Sequence, residues 1–255
     1  MIHLAYTVSN EDLAWTTSIS QPRDMRVLTT AGSGDQALFY TLAGAWRIDT
    51  FDICEYARLI QDIKTAIIPL KNRREYIEII NGLHTARAGD VAKITGMADI
   101  ATRIGPDSAK ILKSATDMGI APFTCGSSIK SYPTHIPDEL YYGILQRKLR
   151  HPFNFIHTDL DSLHTKISGK YDLIDLSNIF DWGYDDARMA QTLGDLARHV
   201  NLNGKIVFNT QKLQAPDYTG TYVKIPSENI ELHHMRTAIC PSDQNIRMMV
   251  FQRTR

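Results

Sequence analysis

The chain has 255 residues, with 28 Lys and Arg against 28 Asp and Glu, so its formal net charge is zero with His neutral. That balance excludes a global positive field as the means of holding nucleic acid and leaves only a local basic patch. Hydrophobic residues make up 43% and charged residues 22%, the proportions of a globular chain that buries a full core.

Cys54, Cys125 and Cys240 lie far apart and are odd in number. They build neither a disulfide framework nor a paired-cysteine metal site, and a reducing cytoplasm is the expected location. Met1–Tyr6 shows no charged segment leading into a long apolar one, and Asn10-Glu11-Asp12 comes too early for a signal peptide. No run approaches the roughly 18 apolar residues of a membrane span.

Arg26-Val27-Leu28-Thr29-Thr30-Ala31 predicts the first clear strand and leads straight into Gly32-Ser33-Gly34-Asp35. Residues 36–43 have helical spacing, with Leu38 and Leu42 on one face, and Gly44 stops the helix. Trp46–Asp52 predicts a strand that finishes on an acid. Leu59, Ile60, Ile63 and Ile67 then recur at helical steps over 55–67, and Pro69 ends that helix. Strand, glycine turn, helix and strand make one βαβ unit, which favours a parallel sheet.

Residues 70–150 read as a helical insertion. Short helices are predicted at 75–83, 91–104, 108–118 and 138–150, with a loop of turn formers at Pro122–Ser128. The insertion carries twelve basic and eight acidic residues, the positive share of a neutral chain, which fits a lid or acceptor-binding subdomain for an anionic ligand as well as a solvated decoration. Beyond it come strands at 154–159 and 171–178, a helix at 185–200, and a turn at Asn203-Gly204 into a strand at 205–210. Two strand-like runs, 229–237 and 245–253, predict a terminal antiparallel hairpin. The whole chain thus reads as a single α/β domain with one insertion.

In an open α/β sheet, ligands bind beyond the carboxyl ends of the strands, where Gly32-Ser33-Gly34 lies. Glycines there let backbone approach a ligand, and the next helix presents its N-terminal amides. Asp52 follows Gly34 by 18 residues, close to the step of about 20 at which an acid meets a ribose diol. Ile53 is expected to line the same ligand. A dinucleotide fold requires a second βαβαβ half, whereas this chain ends in a hairpin. A parallel sheet closed by a hairpin is the Rossmann-like plan of class I transferases that use S-adenosyl-L-methionine (SAM). In that plan the third strand ends in an acid or amide that pairs with the adenine amino group, and Asp159 occupies that place.

Three segments carry a closer likeness: Leu176-Ser177-Asn178-Ile179-Phe180-Asp181-Trp182 within Tyr171–Trp182, the strand and turn Arg26–Gly34, and Ser9-Asn10-Glu11-Asp12. Together they resemble the SAM:diacylglycerol 3-amino-3-carboxypropyltransferases of betaine-lipid synthesis and their shorter relatives. The resemblance covers residues 6–65 and 150–210 and implies SAM as donor, with no metal. Ser177 and Asn178 end the fourth strand at the ligand edge and are expected to hold the amino or carboxylate group of SAM, with Glu11 and Asp12 closing over the same end. Asp181 is then the candidate base or acceptor-orienting group, with Trp182 beside it to stack on an acceptor. Asp181 also suits the start of the next helix, where an acid needs no further role. Thr30 stands where common methyltransferases carry an acid near the amino acid end of SAM. A relative of this kind acts in microcin C maturation, where the aminocarboxypropyl group goes to a nucleotide phosphate, so a small or nucleotide-like acceptor is expected. Methyl transfer on the same fold, and SAM or nucleoside binding without catalysis, remain open alternatives.

His233-His234 lies in the predicted hairpin, where successive side chains face opposite sides, so the pair does not chelate one metal. His157 and His164 have no ligand spacing. Scattered basic and aromatic residues in the insertion form no nucleic-acid reading module.

Overall fold

The computed structural model describes residues 5–6, 12–85, 100, 102–118, 123–124, 138–211, 222–225, 230–240, 243 and 245–255. The chain packs into two units that exchange segments. The first takes Met1–Glu11, Ala31–Leu42 and Asp52–His157, and the second takes Asp12–Thr30, Ala43–Phe51 and Thr158–Arg255.

In chain order the elements are β1 (Ala5–Tyr6), α1 (Leu13–Ser20), β2 (Arg26–Thr30), α2 (Asp35–Leu42), β3 (Arg47–Asp52) and α3 (Glu55–Ile67). Then come α4 (Arg73–Thr85), α5 (Pro106–Asp117), β4 (Phe123–Thr124), α6 (Glu139–Lys148), β5 (Asn154–His157) and α7 (Leu160–Lys166). The last group is β6 (Tyr171–Asp175), a 3₁₀ turn (Ile179–Asp181), α8 (Asp186–Ala197), β7 (Val200–Thr210), β8 (Tyr222–Ile225), β9 (Ile230–Ile239) and β10 (Arg247–Arg253).

The second unit is built on a sheet in the order β3-β2-β6-β7-β10-β9-β8. The pairs β2–β3, β2–β6 and β6–β7 are parallel, and β7–β10, β9–β10 and β8–β9 are antiparallel. The central strands read as apolar runs because both faces are covered: Val27, Leu28, Leu173, Ile174, Ile206 and Val207 are all buried. Phe208 sits at the heart of this packing, edge-on to Phe180 at 4.8 Å and stacked on Phe251 at 6.0 Å. The expected hairpin is present as β9 and β10.

The first unit has its own core. One face of α3 buries Leu59, Ile60, Ile63 and Ile67 in a cluster with Leu38 of α2, Ile79 and Leu83 of α4, and Tyr142 and Leu145 of α6. Each such side chain stabilises the fold by about 1.5–3 kcal/mol relative to exposure. The insertion helices are therefore tied into a core through α3 and α2.

Three expectations change. Asn203-Gly204 does not start a strand; β7 begins at Val200, and these residues bulge within it. Asn203 turns left-handed (φ 65°), and the register steps from Tyr171↔Val200 to Leu173↔Lys205. A bulge lets the chain kink while the ladder resumes. The strand expected over 154–159 ends at His157, because Asp159 caps α7. Within the loop at 122–128, Phe123 and Thr124 pair in parallel with Ala5 and Tyr6. The helix expected at 91–104 falls mostly outside the described residues, as does Cys125; Cys54 and Cys240 are buried and form no disulfide among the described residues. Among the described residues no helix is long and apolar enough to cross a membrane.

Phe208→Ala removes a ring that is 1% exposed and contacts two others. It is expected to cost about 3–5 kcal/mol of unfolding free energy in urea titration.

Candidate functional site

β2 ends at Thr30, and Ala31–Gly34 turns the chain into α2. Two glycines make that turn, with φ of +48° at Gly32 and +81° at Gly34. Side chains avoid this left-handed region. At Gly34 there is a steric reason as well, since an added Cβ would lie 3.0 Å from the Gln61 Cα on α3. At Gly32 an added Cβ would meet nothing within 4 Å, so the missing side chain leaves an open cradle.

Asp52 closes the turn. Its Oδ2 accepts the Gly32 amide at 3.0 Å, and its Oδ1 accepts the Cys54 amide at 2.9 Å. Burial pushes the carboxyl above the usual carboxylate range, opposed by hydrogen bonds from the Cys54, Gly32 and Ile53 amides. Ile53 is half exposed beside it, and its carbonyl accepts from His157 Nε2 at 2.9 Å. The structure thus brings Gly32, Ser33, Gly34, Asp52 and Ile53 together in the first unit.

Behind the turn lies a buried ion pair that the motifs did not signal. Lys64 Nζ donates to Asp35 Oδ1 at 2.5 Å, with the two side chains 1% and 3% exposed. Ser33 Oγ donates to the other oxygen, Asp35 Oδ2, at 3.0 Å. Burial lowers the Lys64 ammonium from its ordinary value, and Asp35 pulls it back up. The available clue was a lysine set among Ile60, Ile63 and Ile67 on the apolar face of a helix.

In the second unit, the segment after β6 is equally constrained. Asp175 is fully buried, and its Oδ1 accepts the Ser177 amide at 2.8 Å. Ser177 is left-handed at φ 54°, an uncommon conformation for a residue with a side chain, and its carbonyl accepts from the Asn209 amide at 2.6 Å. Asn178 follows, partly exposed. Asp175 was missed as a site-shaping residue; the signal was an acid inside the apolar run Leu173-Ile174-Asp175-Leu176.

The remaining acids are occupied locally. Asp181 Oδ1 accepts from Thr210 Oγ1 at 2.7 Å and Oδ2 from the Gln211 amide at 3.0 Å, bracing the 3₁₀ turn against the end of β7. Trp182 next to it is 70% exposed. Asp159 caps α7 by accepting the Ser162 amide at 2.7 Å, and Asp12 caps α1 by accepting the Trp15 amide at 3.0 Å. Glu11 lies outside the described residues.

No protein-family model matches the chain, and no curated protein sequence matches it. Solved structures do. The rRNA methyltransferase aviRa from Streptomyces viridochromogenes aligns with a TM-score of 0.50 at 10% identity, covering 98% of this chain and 88% of its own. The fold is that of the class I SAM-dependent methyltransferases. Two further matches are the ribosomal protein L11 methylase of Lactobacillus delbrueckii subsp. bulgaricus and the N-methyltransferase NodS of Bradyrhizobium japonicum WM9 in complex with S-adenosyl-L-homocysteine. The first has a TM-score of 0.43 at 13% identity, over 95% of this chain and 77% of its own. The second has a TM-score of 0.43 at 8% identity, over 96% and 89%.

Lys64→Met leaves the Asp35 carboxylate buried without its cation and is expected to cost about 3–5 kcal/mol in chemical denaturation. Removing both charges in Asp35→Leu/Lys64→Met should restore most of that loss, because neither charge is then stranded.

Proposed function

We propose that the protein is a transferase that takes its group from SAM. The observation that carries this reading is the glycine turn tied to Asp52, where the parallel strands β2 and β3 give out. The residues fit the donor. Gly32 leaves an open cradle, and a carboxylate oxygen that accepts one amide keeps a second lone pair for a ribose hydroxyl. Ile53 offers an apolar side chain next to that carboxylate. The assignments of Asp159, Ser177 and Asn178 to the donor, and of Glu11 and Asp12 to its amino acid end, rest on their places in the sequence.

The finer proposal is transfer of the 3-amino-3-carboxypropyl group to a hydroxyl or phosphate oxygen of a small or nucleotide-like acceptor. Thr30 and the Leu176–Trp182 segment support it. SAM supplies a sulfonium that activates three attached carbons, and the site selects one by aligning it with the acceptor at roughly 3–3.5 Å. The acceptor oxygen bonds to the γ-carbon, the carbon–sulfur bond breaks with its electron pair going to sulfur, and neutral methylthioadenosine leaves. An acceptor hydroxyl must also lose a proton, which a phosphate oxygen need not. Asp181 is the proposed group to orient the acceptor or take that proton. Its two bonds from Thr210 and Gln211 would hold it in place for either role. Trp182 would stack on the acceptor.

The second reading is methyl transfer, favoured by the fold shared with aviRa, an rRNA methyltransferase. Mass spectrometry of the by-product separates the two. Methylthioadenosine is expected; S-adenosylhomocysteine would replace the first reading with the second, and SAM left unchanged with every hydroxyl and phosphate acceptor offered would leave only binding.

Asp52→Ala is expected to weaken SAM binding by about 1.5–3 kcal/mol, the worth of a hydrogen bond to a charged group. Unchanged affinity in calorimetry would remove Asp52 from the site. The pH dependence has a definite sign. The ionised carboxylate is the form that accepts, and its pKa is raised, so affinity should fall with pH while an ordinary aspartate near 3.9 would still be charged. Asp52→Asn should abolish that acid limb.

A further inference from the structure

The helical part of the first unit holds a second concave site that the donor chemistry does not use. A cavity of about 520 Å³ opens between the C-terminal half of α3, the turn entering α5 and the end of α6. Arg103, Arg147, Arg150 and His151 line it, against one acid, Asp62. That acid is already committed: Asp62 Oδ2 accepts from Ser108 Oγ at 2.6 Å and lies 3.8 Å from Arg58 Nε. Arg58 in turn pairs with Asp107 at 2.9 Å. None of the three arginines in the cavity wall makes an ion pair among the described residues.

The amino end of the twelve-residue helix α5, capped by Gly105 in the same wall, already has Asp107 in its first turn and the Asp62 carboxylate beside it, so the cationic character of the site comes from its arginines. Ile104, Leu149 and Pro152 give the cavity an apolar side. The volume falls within the range of about 300–1,000 Å³ for small-molecule sites. Such a site suits a ligand with an anionic head and an apolar or planar body. Guanidinium forks pair with phosphate oxygens, and a phosphate monoester carries roughly −1.5 to −2 charge, more than a carboxylate offers three arginines. The wall residues on α3, Asp62, Thr65 and Ala66, lie roughly 10–17 Å along the helix from its start at Glu55.

We propose that this cavity binds the phosphate monoester of a nucleotide-sized ligand at a site separate from the glycine turn. The assignment holds whichever group the protein transfers.

Calorimetric titration with uridine 5′-monophosphate at low ionic strength, where charge contacts are least screened, tests it. The wild-type protein is expected to bind this nucleotide and not uridine. Arg103→Ala/Arg147→Ala, on two exposed side chains, should weaken binding at least about tenfold, and Asp52→Ala should leave it within about twofold. Circular dichroism confirms that each variant is folded; if the double variant is not, Arg150→Ala alone must weaken binding at least about threefold. Absence of binding by the wild type, equal binding of uridine, or undiminished binding by the arginine variants overturns the proposal. So does loss of binding in Asp52→Ala, which would move the nucleotide to the glycine turn.

Discussion

The Gly32 amide donates to Asp52 Oδ2 at 3.0 Å, and that contact joins the loop after one strand to the end of its neighbour. Three things follow from it. The loop must turn its amide toward the next strand, which Gly32 does in a left-handed conformation. The acid must stand at the last position of β3, and its second oxygen then takes the Cys54 amide and sets the start of α3. With α3 placed in this way, Gln61 packs so closely on Gly34 that an added Cβ would lie 3.0 Å from its Cα, and the left-handed φ of +81° there disfavours a side chain as well.

Each unit buries charge close to these strand ends and surrounds it with partners. In the first, Asp35 holds Lys64 and the Ser33 hydroxyl. In the second, Asp175 receives the Ser177 amide and holds a left-handed residue that has a side chain. Buried charges contribute little net stability because desolvation offsets their attraction. Their effect here is geometric, fixing backbone that would otherwise sample several turns. A third buried carboxylate, Asp49, differs in kind. It lies mid-strand with Arg26 at 2.7 Å and the Tyr171 hydroxyl at 2.9 Å, which ties three neighbouring strands together rather than shaping a loop. Those two donors and Arg47 hold its carboxyl below the usual range although burial, the largest influence, pushes the other way.

Much of the fold was legible because its signals are local. The apolar run Arg26–Ala31 before Gly-x-Gly, the helical spacing of Leu59, Ile60, Ile63 and Ile67, and the paired tail strands need only neighbouring residues to be read. The turn and Asp52 were legible for the same reason, since one glycine pattern and one spacing bring them together. Asp159 was read as a ligand group from its position after a strand and Asp181 through the family resemblance, yet an acid in either place serves equally as a helix cap or a brace. Which use prevails depends on the Ser162 amide, the Thr210 hydroxyl and the Gln211 amide. Strand β8 carried too little alternation over Tyr222–Ile225 to stand out, and it pairs only because β9 offers an edge.

By itself the order of residues determined the strand–turn–helix succession, the acid at the end of β3 and the closing hairpin, because backbone conformation and hydrophobic period are set over a few residues. Tertiary structure alone decided which charges are buried together and where several cations gather around a single acid. Lys64 meets Asp35 across 29 positions, and Arg103 shares a cavity with Arg147 across 44. Distances of that kind are closed by the packing of helices, and no local pattern encodes the partner.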